Sequence, residues 1–149
     1  MTERLYFADP YLTRFSGRVV ERLQQAGQPA VVLGRTAFYP TSGGQPHDTG
    51  MLREAHSSVA VGVVDVVERE GDGAVVHILA EPLPVDEVEG EVDWDRRFDL
   101  MQQHTGQHIL SAAFLECLEA NTVSFHLAED YASIDLDRAP ISADELAEV

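Results

Sequence analysis

Over the first 92 residues, apolar positions come in short runs of Val, Ile and aromatic residues with partial period-two alternation. The runs are RFSGRVVERL from Arg14, PAVVLGRTAFYP from Pro29, SVAVGVVDVVERE from Ser58, AVVHILAEPL from Ala74 and EVEGEVDW from Glu87. Between them SGGQP, EGDG and EPLP carry the glycine and proline chemistry of turns. Several short strands at this spacing predict a small barrel or sandwich. Near Asp95 the period changes. From there to Glu119 no proline occurs, and Trp94, Phe98, Met101, Thr105, His108, Ala112 and Leu115 fall in one stripe at 3.6 residues per turn. Gln103, Gln107 and Ser111 form a narrow polar strip, and Leu110, Ala113 and Cys117 a second apolar face. A helix apolar on two sides is expected to lie buried between layers. TVSFHLAED and YASIDLD then read as two paired strands. The chain is therefore expected to be α+β, with a β domain over residues 1–92 and a helix packed on antiparallel strands over 93–149.

The segment SADE, Ser142 to Glu145, is a capping box: the serine hydroxyl accepts from the first helical turn and the glutamate reaches back. A helix is announced, yet Val149 follows Glu145 by only four positions. Helices this short are rarely stable alone. The expectation is that the natural protein continues past Val149, the alternative being a frayed tail.

Composition narrows the class. With 149 residues, 44% hydrophobic and 24% charged, the chain has the makings of a packed core and not of global disorder. Its single cysteine, Cys117, permits no internal disulfide and fits a reducing compartment. The opening MTERLYFADP has charges where a signal peptide needs an apolar run, and no stretch approaches the roughly 18 apolar residues of a membrane span. The reading is a soluble cytosolic protein. Its formal net charge of −16, from 26 acidic and 10 basic side chains, suits a solvated acidic surface better than a surface that wraps nucleic acid. It leaves room for an enzyme that meets RNA over a small area.

Candidate chemistry centres on MQQHTGQHIL, Met101 to Leu110. His104 and His108 are spaced i, i+4, so both imidazoles leave one helix face about 6 Å apart at Cβ. Two neutral imidazoles so placed are able to share a zinc ion; an ordinary pair on a half-buried helix is the competing reading. Zinc needs a third ligand. Cys117, nine residues beyond His108, is rotated almost to the opposite face and reads as a core residue. His126 on the following strand is the first candidate, His47 a distant one, and His56 and His77 read as surface or strand residues. The second constellation is FYPTSGGQPHDTG, Phe38 to Gly50. Gly43 and Gly44 are able to take positive φ and bring backbone N–H groups close to a ligand, or simply to make a tight turn between strands. Neither a phosphate-binding glycine fingerprint nor a Ser-His-Asp arrangement is legible.

Together the two constellations are more specific than either alone. FYPTSGGQPHDTG followed about 60 residues on by HxxxH, with VDWDRRFDLM leading into the helix and SFHLAEDYASIDLD and SADELAEV after it, resembles the editing region of alanyl-tRNA synthetases. It resembles still more the free-standing AlaX-type trans-editing proteins, over nearly the whole chain. The resemblance implies a small N-terminal β-barrel carrying the GG loop, then the first half of an α+β editing domain. It implies zinc-dependent hydrolysis of the ester joining a wrong amino acid, serine or glycine, to tRNA(Ala), with mischarged tRNA(Ala) as partner. By match of motif His104 and His108 are the first two zinc ligands; the family completes its site with a later CxxxH, which these 149 residues do not reach. The position before the second histidine departs from the family pattern: a small hydroxyl residue is common there, and here it is Gln107.

A roomy pocket rejects alanine weakly against serine, so selectivity calls for a group that hydrogen-bonds the serine hydroxyl. Thr105, Gln107 and Ser124 stand at positions suited to this, beside Gly43 and Gly44 on the loop. Gly106, costly within a helix, is expected to admit close packing of a strand or of substrate. Two other readings stand against the deacylase: a non-catalytic module docking on tRNA or a synthetase, and an acidic interaction domain whose histidines are structural.

Overall fold

The structure is a computed structural model describing residues 2–54, 57, 59–128 and 131–149. His56 lies outside the described residues. The chain divides into two compact units, residues 1–42 with 47–97, and residues 43–46 with 98–149.

The first unit opens with β1 (Glu3–Arg4), followed by a short 3-10 turn and β2 (Arg14–Gln25). Then come β3 (Gln28–Leu33), β4 (Arg35–Thr36), β5 (Gly50–Glu54), β6 (Ala60–Glu68), β7 (Val75–Leu79) and β8 (Glu87–Val92). β1 pairs with β4 in parallel, and the other six strands close an antiparallel barrel in the order β2-β3-β7-β6-β5-β8. Closure falls to β2, whose Arg14–Arg18 half pairs with β8 and whose Val19–Gln25 half pairs with β3. An extra residue, Val20, interrupts the register of β2 with β3 between Val19 and Glu21, and Val64 interrupts that of β6 with β7 between Val63 and Asp65. Such bulges bend a strand and raise its twist, which a closed sheet of six strands requires.

The barrel core follows from alternation. Phe15, Val31, Leu33, Phe38, Leu52, Val66, Val75, Leu79 and Val88 belong to one buried cluster. Ala30, Val32, Val76 and Ile78, their strand neighbours, belong to a second with Ala74. β3 and β7 are thus covered on both faces, which is why AVVL and VVHIL read as unbroken apolar runs. His77 is a strand residue, as one of its two sequence readings had it, but it is fully buried. Its Nε2 lies 2.8 Å from Thr36 Oγ1, its Nδ1 3.3 Å from the Val31 carbonyl, and its ring stands edge-on to Phe38. Burial holds the imidazole pKa down at about 4.

The helix α1 (Trp94–Leu118) starts in the first unit and supplies the long element of the second. β9 (Thr122–Leu127) and β10 (Ala132–Leu136) form the expected antiparallel pair, and α2 (Ala143–Leu146) follows. Phe114, Leu118 and Ala120 build the core of this unit, with Ile134, Leu136, Ile141 and Val149 packed against it. The tail is docked on the end of α1. Arg138 donates to the Leu118 carbonyl at the C-terminus of α1 and pairs with Glu145, while the capping box of Ser142 and Glu145 is complete.

One expectation is corrected. The stripe drawn through Met101, Thr105, His108, Ala112 and Leu115 does not face the core: Thr105, His108 and Ala112 are exposed, and Leu115 is 51% exposed. The buried positions of α1 in this unit are Leu100, Gln107, Phe114 and Leu118, on the side that carries the polar strip. Gln107 is tolerated there because its Nε2 donates to Ser111 Oγ, which also accepts from Thr122 Oγ1, both at 2.7 Å. Among the described residues the helix is covered on one side and not on two.

Candidate metal and substrate site

The sequence segments that flank the loop and open the helix meet inside the first unit. Arg97 is 2% exposed. Its guanidinium donates to the carbonyls of Pro10, Leu12 and Ala37 and forms a buried ion pair with Asp48. Asp48 also accepts from the Tyr39 N–H at 2.7 Å, and its own N–H donates to the Tyr39 carbonyl at 3.0 Å. The guanidinium lies 5.1 Å from the centre of the Tyr39 ring. Beside it, Arg96 donates to the His47 carbonyl. The two arms of the GG loop are thereby tied to each other and to the first turn of α1. Apart from His47, a distant candidate ligand, none of these residues figured as a site residue in the sequence; the signal was present in the paired motifs PHDTG and WDRRF, whose charges are opposite.

His47 is held at the barrel. Its Nδ1 lies 3.0 Å from Asp65 Oδ1 and 3.2 Å from Thr41 Oγ1, and its Nε2 lies 3.1 Å from the Val64 carbonyl. Both ring nitrogens are engaged within the first unit.

In the second unit the helical period brings the histidine pair together. His104 and His108 approach with Nε2 atoms 2.8 Å apart and ring centres 4.6 Å apart. His108 is exposed and His104 half-buried. Desolvation first, and the neighbouring His108 second, lower the His104 pKa, which favours the neutral ring a metal requires. Two imidazoles on one tetrahedral zinc, at about 2.0–2.1 Å each, hold their nitrogens roughly 3.4 Å apart. The observed approach is within a small side-chain adjustment of that, so the pair fits two positions of a zinc shell. Among the described residues no third His, Cys, Asp or Glu joins them. Cys117 is exposed, with its thiol 3.5 Å from the Glu148 carbonyl. His126 is exposed on β9, its side chain alternating with that of Phe125, and it is the Phe125 ring that meets His104, edge-on at 5.5 Å.

The remaining sequence candidates fall in different surroundings. Thr105 is exposed beside His104 and back-bonds to the Met101 carbonyl at 2.9 Å. Gln107 is 7% exposed and leaves its Oε1 buried without a partner among the described residues. Ser124 is half-buried and donates to Asp135. Gly43 and Gly44 both take positive φ, and the loop tip Gly43–Pro46 clusters with the second unit. At Gly106 an added Cβ meets nothing within 4 Å, so among the described residues no strand packs against it, which answers the strand half of that expectation alone.

A closed barrel carrying a glycine loop, followed by a long helix with paired histidines, defines a recognisable class. The chain belongs to the family of class II (A) tRNA synthetases, whose model matches residues 11–96. Within that class its likeness is to alanyl-tRNA editing domains. It is 36% identical over 139 residues, 92% of its length, to the alanyl-tRNA editing protein AlaX-L of Pyrococcus horikoshii, and 43% identical over 121 residues, 79% of its length, to AlaX-M of the same organism. An alanine–tRNA ligase of Pyrococcus abyssi is 36% identical over 154 aligned positions, 99% of this chain. The chain spans 34% of the AlaX-L protein, 51% of AlaX-M and 16% of the ligase. No helix is long and apolar enough to cross a membrane among the described residues.

Proposed function

We propose that the chain serves in trans-editing: hydrolysis of the ester of tRNA(Ala) mischarged with serine or glycine, in the cytoplasm, with zinc as cofactor. The observation that carries this reading is the convergence of His104 Nε2 and His108 Nε2 at 2.8 Å, in a chain whose relatives are named alanyl-tRNA editing proteins. His104 and His108 would hold the ion through Nε2. When bound, zinc supplies a positive charge that polarises a carbonyl or lowers the pKa of a water.

What the chain's own residues contribute is placement. An aminoacyl ester is reactive, so bringing water and carbonyl together supplies much of the acceleration. His108, exposed, is the member of the pair that an entering aminoacyl group reaches first, and Thr105 offers a hydroxyl beside it. Ser124 offers a second hydroxyl, and Gly43 an unhindered stretch of loop backbone. Gln107 turns into the core, where it donates to Ser111. Serine is selected by a hydrogen bond that alanine cannot make.

The second reading is a tRNA- or synthetase-binding module without turnover. Hydrolysis of Ser-tRNA(Ala) by the chain, with and without a chelator, separates the two. Deacylation is expected to stop with chelator and to fall to the uncatalysed rate in a His104→Ala, His108→Ala variant. Full activity in that variant refutes the histidine site, and binding of tRNA without turnover establishes the module.

A further inference from the structure

The two loop glycines differ in what they require. Gly43 has φ +57, and a Cβ added there meets nothing within 4 Å. It needs the left-handed backbone alone. Gly44 has φ +80, and a Cβ there would lie 2.4 Å from the Phe125 carbonyl oxygen and 3.5 Å from its carbonyl carbon. That is a collision with backbone, which no side-chain rotation relieves. The contact is anchored by the Leu127 N–H, which donates to the Gly44 carbonyl at 3.0 Å.

Phe125, the residue that Gly44 meets, lays its ring edge-on to His104, with interplanar angle 83°. His104 Nδ1 is buried and takes no partner among the described residues. In metal-ligating histidines that nitrogen usually donates to a carboxylate or carbonyl, which fixes the ring plane. Here the orienting contact beside His108 is the Phe125 ring.

We propose that Gly44 is a positioning residue, whose missing side chain lets the loop tip seat on β9 so that Phe125 holds the His104 ring in the plane that meets His108. It acts through Phe125 and does not touch substrate. This rests on the reading of His104 as a metal ligand, and the test separates the two.

The 149-residue chain is prepared as Gly44→Ala, Gly43→Ala and Phe125→Leu variants. Imidazole spectra by NMR, Leu127 amide exchange and a titration with zinc itself are then recorded, with the buried His77 of the barrel as internal control. Gly44→Ala is expected to lose the ring-current shift of the His104 protons and to lower Leu127 protection about tenfold. Phe125→Leu loses the shift and keeps the protection. Gly43→Ala keeps both. Zinc affinity falls about tenfold in Gly44→Ala and Phe125→Leu alone. Unchanged His104 signals in Phe125→Leu, or equal losses in Gly43→Ala and Gly44→Ala, overturn the proposal. If the unsubstituted chain gives no response to zinc, these residues do not by themselves hold the ion, while the comparison of the three variants still decides the positioning.

Discussion

Breaking the Arg97–Asp48 pair is the most searching test of how the GG loop is held. The two side chains are 2% and 3% exposed and 49 positions apart in the chain. Substituting Arg97 by methionine keeps much of the aliphatic stem and removes the guanidinium. It strands the Asp48 carboxylate with the Tyr39 N–H as its remaining neutral donor and takes a donor from the carbonyls of Pro10, Leu12 and Ala37. Removing one partner of a buried pair costs about 3–5 kcal/mol, and an unsatisfied buried carbonyl about 1–3 kcal/mol. Water entering the vacated space offsets part of this, so a net loss of about 4 kcal/mol is expected, a large share of the 5–15 kcal/mol typical of a domain. Asp48→Asn keeps an acceptor for Tyr39 but leaves the guanidinium uncompensated, and should cost less. Urea denaturation of the single and double variants closes the cycle, with a coupling above about 1.5 kcal/mol expected. Single losses below about 1 kcal/mol, or additivity within about 0.5 kcal/mol, would refute the claim that this pair ties the loop to the helix.

Two further expectations follow from buried and open positions. His77 has a folded pKa of about 4, below the ordinary 6.5 of an unfolded chain, so the unfolded state takes up its proton first as pH falls. Its contribution is fully present above about pH 6.5 and declines by about 1.4 kcal/mol per unit towards pH 4, roughly 3 kcal/mol in all; the difference in unfolding free energy between the native chain and His77→Gln should show that slope, and a flat difference refutes it. Gly106→Ala, exposed with open space at its Cβ, should stabilise the chain by about 1 kcal/mol in thermal unfolding; a loss of stability would mean that the glycine has a packing partner.

Residues related by a local period were readable from the chain. The barrel strands, the span of the long helix, the paired strands after it and the capping box at Ser142 were all legible, because alternation, helical repeat and capping act over a few neighbouring positions. The convergence of His104 with His108 was legible for the same reason, since a spacing of four is one turn. What the sequence did not contain was the side of α1 that faces inward. Its apolar residues describe more than one stripe, and only tertiary packing, as of Phe114 and Leu118 with Ile134, Leu136, Ile141 and Val149, decides that Leu100, Gln107, Phe114 and Leu118 are covered while Leu115 and Ala112 are not. The roles of Arg97 and Asp48, and the difference between Gly43 and Gly44, belong to tertiary structure as well. Each depends on a partner tens of residues away, and no local rule couples positions that far apart.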